Sequence, residues 1–325
     1  MQPALLEVRD LTLSFLTPAG PISILRGVDL TISEGEIVGL VGESGSGKSL
    51  TCLSLLRLLG ERARLGGRIS FLGRDIGALA EHELVALRGR EIAMIVQEPQ
   101  SALNPVQTVG RQLVEAIGLS AANGGARGHD RAEQLLRDVG LPDPKARLSA
   151  YPHELSGGQA QRVLIAMMLA RGPKLLLADE PTTALDVTVQ AQILALLRRL
   201  RRDHGMAILL VTHDLGVVAE TCDRVAVMYC GRIVESGPVG AIFRAPRHPY
   251  TVGLLGARPR IDHRVAKLVA MDGVVPDPRD LPPGCSFAPR CQRASARCAQ
   301  VPPWQVDAVD RGFACHHPVG GDATP

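Results

Sequence analysis

Gly42-Glu43-Ser44-Gly45-Ser46-Gly47-Lys48-Ser49 fits the pattern G-x-x-x-x-G-K-[ST], in which glycines let successive backbone N–H groups turn inward on phosphate oxygens. In that chemistry Gly42, Ser44, Gly45 and Gly47 build the cradle, Lys48 reaches the β and γ phosphates of a nucleotide, and Ser49 binds Mg2+. Further on, Leu175-Leu176-Leu177-Ala178 ends in the adjacent carboxylates Asp179 and Glu180. Neighbouring side chains at a strand end point in different directions, so Asp179 is expected to hold the Mg2+ shell and Glu180 to polarise the water that attacks the γ phosphate. Asp-Glu-Pro-Thr can also be a plain helix cap; its place downstream of a phosphate loop favours catalysis.

Three further positions could complete such a site. Gln97 follows the apolar run Ile92–Val96 and can contact Mg2+ or water; His213 follows Ala207–Thr212, a strand expected to run beside the one ending at Asp179. Ser156-Gly157-Gly158-Gln159 opens a helix expected from about Ala160 to Arg171, and a hydroxyl with free N–H groups at a helix start suits an anion. A second anion-ready start in a chain that already has a phosphate loop suggests a nucleotide clamped between two chains. Phe15 can stack on an adenine ring or simply face a sheet.

The elements that must carry these residues are legible in the apolar pattern. Ile37–Val41 reads as a buried strand, with a helix from Lys48 to Leu59 after the loop, the strand–loop–helix order the phosphate motif requires. Ahead of it, alternation from Leu11 and a second run at Ile24–Ile32 predict an antiparallel sheet. Lys174–Asp179, Ala207–Thr212 and Val225–Tyr229 read as buried parallel strands, separated by helices such as Thr188–Arg202, whose basic run falls on a solvated face. From Pro99 to Leu155 the strand signal disappears and a helical insertion is expected, with a loose glycine-rich stretch at Ala121–Gly128. From Pro246 a separate C-terminal module is expected, because twelve of the 23 prolines and four of the seven cysteines follow.

Composition limits the alternatives. The chain has 325 residues, too many for one small core, and its 3% aromatic content beside 46% hydrophobic residues favours an α/β protein. A net charge of +3 is too mild for nucleic-acid binding. The longest apolar runs, near Val163–Ala170 and Ala207–Val211, are core-sized rather than membrane-spanning. Met1-Gln2-Pro3-Ala4 lacks the features of an export signal, which suggests a cytoplasmic location. Cys285, Cys291, Cys298 and Cys315, spaced C-x5-C-x6-C-x16-C, lie in a Pro/Arg-rich segment with little capacity for an apolar core. Such a segment needs a staple, and in a reducing compartment metal ligation is favoured over disulfides. Cys52, Cys222 and Cys230 read as small buried residues, and His316 and His317 as solvent-exposed rather than as further ligands.

Taken with Ala184-Leu185-Asp186 after Asp179-Glu180-Pro181-Thr182-Thr183, the motifs resemble those of ABC transporter ATP-binding subunits over about residues 5 to 255. Gln97-Glu98-Pro99-Gln100-Ser101-Ala102-Leu103-Asn104-Pro105 and Arg247-His248-Pro249-Tyr250-Thr251 resemble the dipeptide/oligopeptide and nickel importer branch. The resemblance implies an ABC-type ATPase domain over 1–245: a mixed sheet core, an antiparallel β subdomain and a helical subdomain at about 99–160. A cysteine-bearing extension occupies 246–325. It implies ATP and Mg2+ as cofactors, Ser156, Gly157 and Gly158 as signature, Gln97 as Q-loop, His213 as switch and Asp186 as D-loop. The implied partners are a homologous or identical ATPase subunit, two membrane permeases and an extracytoplasmic substrate-binding protein, with the chain peripheral on the cytoplasmic face of the membrane. The extension resembles that of peptide-importer ATPases, some of which carry a four-iron, four-sulfur cluster; zinc is the alternative. A nickel-importer ATPase, a DNA-repair ATPase and a non-hydrolysing nucleotide sensor are the rival readings. The compact interval between phosphate loop and signature argues against the second.

Overall fold

The computed structural model describes residues 4–118, 121–183, 185–257, 271–307 and 311–320. Met1, Gln2 and Pro3 of the leader reading, and Ala184 of Ala-Leu-Asp, lie outside the described residues. The chain forms two compact units.

The first unit draws on the described residues of Met1–Ser33, Ile37–Ala78 and Val211–Pro325. Its N-terminal sheet is antiparallel, in the order Gly20–Ser33, Ala4–Thr17, Ala63–Phe71, Arg74–Asp75. The alternation read from Leu11 holds: Leu11 and Leu13 point into the core and are fully buried. A second set of strands pairs Ile37–Val41 with Arg224–Tyr229 in parallel, then continues antiparallel through Arg232–Pro238, Arg311–Ala314 and Trp304–Asp307. Every residue of Ile37–Val41 is buried, which its unbroken apolar run requires.

The proline-rich C-terminal segment does not need a core of its own. Phe287 joins Tyr229 and Tyr250 in one buried cluster, with ring centroids 5.3 and 5.4 Å from the two tyrosines, and Met271, Val275 and Leu281 pack against it. The segment thus shares the apolar interior of the unit that holds the phosphate loop.

The second unit comprises Glu34–Glu36 and Leu79–Leu210. Strands Ile92–Ile95 and Leu175–Asp179 pair in parallel, and Ala207 N donates to Lys174 O at 2.9 Å where Ala207–Thr212 begins alongside. Helices Val109–Ile117, Ala121–Asp138, Gly157–Leu169 and Val187–His204 accompany them. The loose stretch expected at Ala121–Gly128 is instead the start of the 18-residue helix Ala121–Asp138. Gly124 and Gly125 lower its propensity, but the buried face at Ala132, Leu135 and Leu136 compensates, as packing commonly does for weak helix formers. Boundaries shift elsewhere for local reasons. The helix after the phosphate loop stops at Leu55 rather than Leu59, where Arg57 turns to φ 51°; Val187–His204 is bracketed by the cap Asp186 and left-handed Gly205. Among the described residues no helix is long and apolar enough to cross a membrane.

Candidate nucleotide site

The phosphate loop is a wrapped turn between the strand Ile37–Val41 and the helix Lys48–Leu55. Its tightness explains the glycines: at Gly42 (φ 158°) a Cβ would lie 2.2 Å from Met228 O, and at Gly47 (φ 107°) 2.8 Å from Leu25 Cδ2. Ser46 N donates to Glu43 O at 3.2 Å and Gly231 N to Ser46 O at 2.8 Å, so the turn is tied to the loop after Tyr229. Lys48 is buried, and its ammonium donates to Gly42 O at 2.8 Å and Glu43 O at 3.0 Å. A lysine folded into the cradle, on a helix whose N-terminus opens there, is the arrangement that receives a polyphosphate. Ser44 and Gly45 are exposed on the loop, Ser49 is exposed in the first turn of the helix after it, and Phe15 is half-buried on the first strand. His213 is exposed directly after Ala207–Thr212, while Asp214 caps the next helix by accepting from Gly216 N at 2.6 Å.

In the second unit Asp179 is buried at the end of its strand and Glu180 follows it half-exposed. Glu180 has φ 47°, a left-handed conformation that costs a residue with a side chain on the order of 1–3 kcal/mol. The turn carries its carboxylate away from the strand, where Oε2 accepts from Gln97 Nε2 at 3.3 Å and from Thr183 Oγ1 at 2.7 Å. The structure therefore brings Gln97 and Glu180 together and adds Thr183, a position quoted in the motif but given no role from sequence.

Ser156 is the N-cap of Gly157–Leu169, accepting from Gln159 N at 3.4 Å while its own N–H donates to Gln159 Oε1 at 3.1 Å. That cap starts the helix at Gly157, earlier than Ala160 and ending at Leu169. Ser156 and Gly157 are exposed, and a Cβ on Gly158 would meet Val189 at 2.6 Å. Asp186 caps Val187–His204, accepting from Val189 N at 2.9 Å.

A group that sequence reasoning missed clamps the phosphate loop from the C-terminal segment. Arg290 grips Glu43 through two bonds, Nη1 to Oε2 at 2.6 Å and Nη2 to Oε1 at 3.0 Å, with its side chain 5% exposed. Glu43 N donates to Tyr250 Oη at 2.8 Å. The carboxylate and the Tyr229 hydroxyl raise the Arg290 pKa above its ordinary value against the effect of burial. The only sequence-level signal was the Arg247–Thr251 run that contains Tyr250. The same run fixes a helix start, because buried Glu235 accepts from Arg247 N at 2.7 Å and His248 N at 2.8 Å and so anchors the first turn of Pro249–Gly256.

All seven cysteines are free thiols. Cys285, Cys291, Cys298 and Cys315 line one small cavity of about 10 Å3, together with His248, His316 and His317. The two C-terminal histidines are half-buried rather than exposed: His317 Nε2 lies 2.6 Å from Ser295 Oγ and His316 Nε2 3.2 Å from Gln300 O. Burial pushes the thiol pKa up at Cys285 and Cys291, and at Cys315 to about 11. Among the described residues no group of three or more His, Cys, Asp or Glu is placed to hold a metal ion. Cys52 and Cys230 are buried as expected; Cys222 is intermediate.

Comparison with known proteins agrees with this architecture. Residues 25–183 match the ABC transporter family, and residues 234–298 match the oligopeptide/dipeptide transporter, C-terminal region. A dimeric structure of MJ0796, a bacterial ABC transporter cassette, superimposes with a TM-score of 0.64 at 29% identity, covering 72% of this chain and 98% of that one. The chain belongs to the ABC transporter ATP-binding subunits, and it is an ATPase. Within that family, the chain is 51% identical to a putative peptide import ATP-binding protein of Brucella melitensis over 96% of its own length and 94% of the relative's. It is 48% identical to the oligopeptide transport ATP-binding protein OppD of Salmonella typhimurium (98% and 96% covered), and 45% identical to the dipeptide transport ATP-binding protein DppD of Escherichia coli (99% of both).

Proposed function

We propose that this ATPase powers an importer of di- or oligopeptides, peripheral on the cytoplasmic face of the membrane. It would work as one of two ATPase subunits beneath two permeases fed by an extracytoplasmic binding protein. The observation that carries the peptide reading is the match of residues 234–298 to the oligopeptide/dipeptide transporter C-terminal region, in a chain whose phosphate loop is intact. In this reading Lys48 and the loop N–H groups bind the phosphates, Phe15 stacks on the adenine, and Ser49, Gln97 and Asp179 ligate Mg2+. Bound Mg2+ neutralises phosphate charge. Glu180, oriented by Gln97 and Thr183, polarises the attacking water, and His213 contacts the γ phosphate. Ser156, Gly157, Gly158 and Gln159 close on the nucleotide of the partner subunit, with Asp186 at the dimer contact. The helical residues 99–160 receive the permease.

The cysteine cavity supports a four-iron, four-sulfur cluster over zinc. Four soft thiol donors line one space, the donor set such a cluster takes, and the resemblance of the extension to that of peptide-importer ATPases favours the cluster over zinc. Cys285, Cys291, Cys298 and Cys315 would hold it. Their protons would leave on loading, because the ligands are thiolates. Iron and acid-labile sulfide content of anaerobically purified protein, compared with a Cys298→Ser variant, tests this; absence of both elements ends the cluster reading.

Transport is tested by uptake of labelled peptides and of nickel in a strain lacking this subunit. Loss of peptide uptake is expected; loss of nickel uptake alone would remove the peptide assignment.

A further inference from the structure

The first unit also contains a larger cavity, of about 390 Å3, which shares Cys285, His248 and Phe287 with the cysteine cavity but is otherwise walled mostly by residues given no role above. Its walls come from the strand Gly20–Ser33, from Arg224–Tyr229 and Arg232–Pro238, and from the C-terminal segment around Ser286 and Trp304. That volume lies within the range of small-molecule sites, about 300–1,000 Å3.

The charge of the lining is one-sided. Arg9, Arg26, Arg224 and Arg232 face Asp29, the one acidic lining residue among those described. Arg9 is engaged by Glu7 at 2.6 Å. Arg26 is not neutralised by the groups it bonds: it donates to Cys230 O at 2.9 and 2.6 Å and to Ser286 Oγ at 2.7 Å, all uncharged acceptors. Arg232 has a buried Nε with no hydrogen-bond partner. Burial first, and then repulsion from Arg232, lower the Arg26 pKa, so two guanidinium groups share one partly desolvated space. At the rim Trp304 is 48% exposed, its indole lying over Gly312, where a Cβ would come within 2.3 Å of the ring.

We propose that this cavity is a binding site for the phosphate monoester of a small organic molecule, with the phosphate between Arg26 and Arg232 and the organic body against Trp304. The charge selects the headgroup: a phosphate monoester carries about −1.5 to −2 at pH 7 and matches two guanidinium groups, whereas a carboxylate matches one. The aromatic and aliphatic wall of Phe287, Ile233 and Trp304 selects an organic body over the bare ion.

The test is titration calorimetry of the full-length protein preloaded with Mg2+-ADP, so that the phosphate loop is occupied, with phenyl phosphate as the probe. One equivalent should bind, with benzoate much weaker. Arg232→Gln should lower the affinity by about tenfold, the usual loss for a charged hydrogen-bond donor. Trp304→Ala, at the exposed rim, should lower it several-fold and serves if Arg232→Gln does not fold. No binding, or binding that both variants leave unchanged, overturns the site. Inorganic phosphate binding as tightly as phenyl phosphate overturns the organic ligand.

Discussion

Glu43, in the phosphate loop, and Glu180, after the strand Leu175–Asp179, are both partly buried carboxylates, yet the fold treats their charges in opposite ways. Glu43 is locked by a bidentate guanidinium and its backbone N–H is tied to Tyr250. Glu180 sits on a left-handed backbone and accepts from the neutral donors Gln97 and Thr183. A bidentate guanidinium in a fixed geometry holds a loop in shape, whereas a carboxylate that accepts from an amide and a hydroxyl on a strained turn is suited to take a water proton. Identical side chains thus divide into a fastener and, in the proposed function, a base.

Glu180→Gln breaks the comparison most severely if the division is right. It keeps shape and hydrogen bonding but removes the charge, and steady-state ATP turnover should fall by about 10²-fold or more, with an ATP-bound dimer captured on gel filtration. Unchanged turnover would make Glu180 another fastener. Arg290→Met should leave Glu43 uncompensated and destabilise the protein by on the order of 3 kcal/mol in denaturant unfolding. Adding Glu43→Gln should restore part of that loss, and the absence of such coupling would mean the pair is incidental. Thr183→Val removes the 2.7 Å bond to Glu180. A fall of roughly tenfold in kcat with little change in unfolding midpoint is expected, as for a hydrogen bond to a charged group. Cys222 calibrates the smallest effect. Burial raises its thiol pKa from 9.0 to about 12. Ionisation is therefore favoured in the unfolded chain, and stability present below pH 9 should be lost as pH rises from 9 towards 12, by about 1.4 kcal/mol per pH unit at most. Cys222→Ala should flatten that slope in unfolding measurements at pH 8 and pH 10.

Much of this was legible in the sequence because local pattern determined it. Leu175–Ala178 and Ala207–Thr212 announce buried strands by apolar runs, and the glycines at 42 and 47 announce a turn too tight for a Cβ. The helix starts at Ser156 and before Val187 were expected within a few residues, while the capping bonds of Ser156 and Asp186 came from the structure. What escaped was long-range or conformational. Arg290 finds Glu43 across 247 positions, with no periodicity or spacing to signal it. The positive φ of Glu180, which carries its side chain to Thr183, belongs to the turn rather than to any residue in it. The glycine pair at 124–125 misled for a related reason, since the packing that sustains its helix begins at Ala132, further along the same helix.

The 247-residue separation between Glu43 and Arg290 also sets a schedule. A ribosome adding roughly 5–20 residues per second needs about 12 to 50 s to deliver the arginine after the glutamate has emerged. During that interval the nascent nucleotide loop lacks its fastener, so a segment made late completes a motif translated early. A message truncated before codon 290 would yield a polypeptide with every ATP-binding motif present and the loop still unclamped.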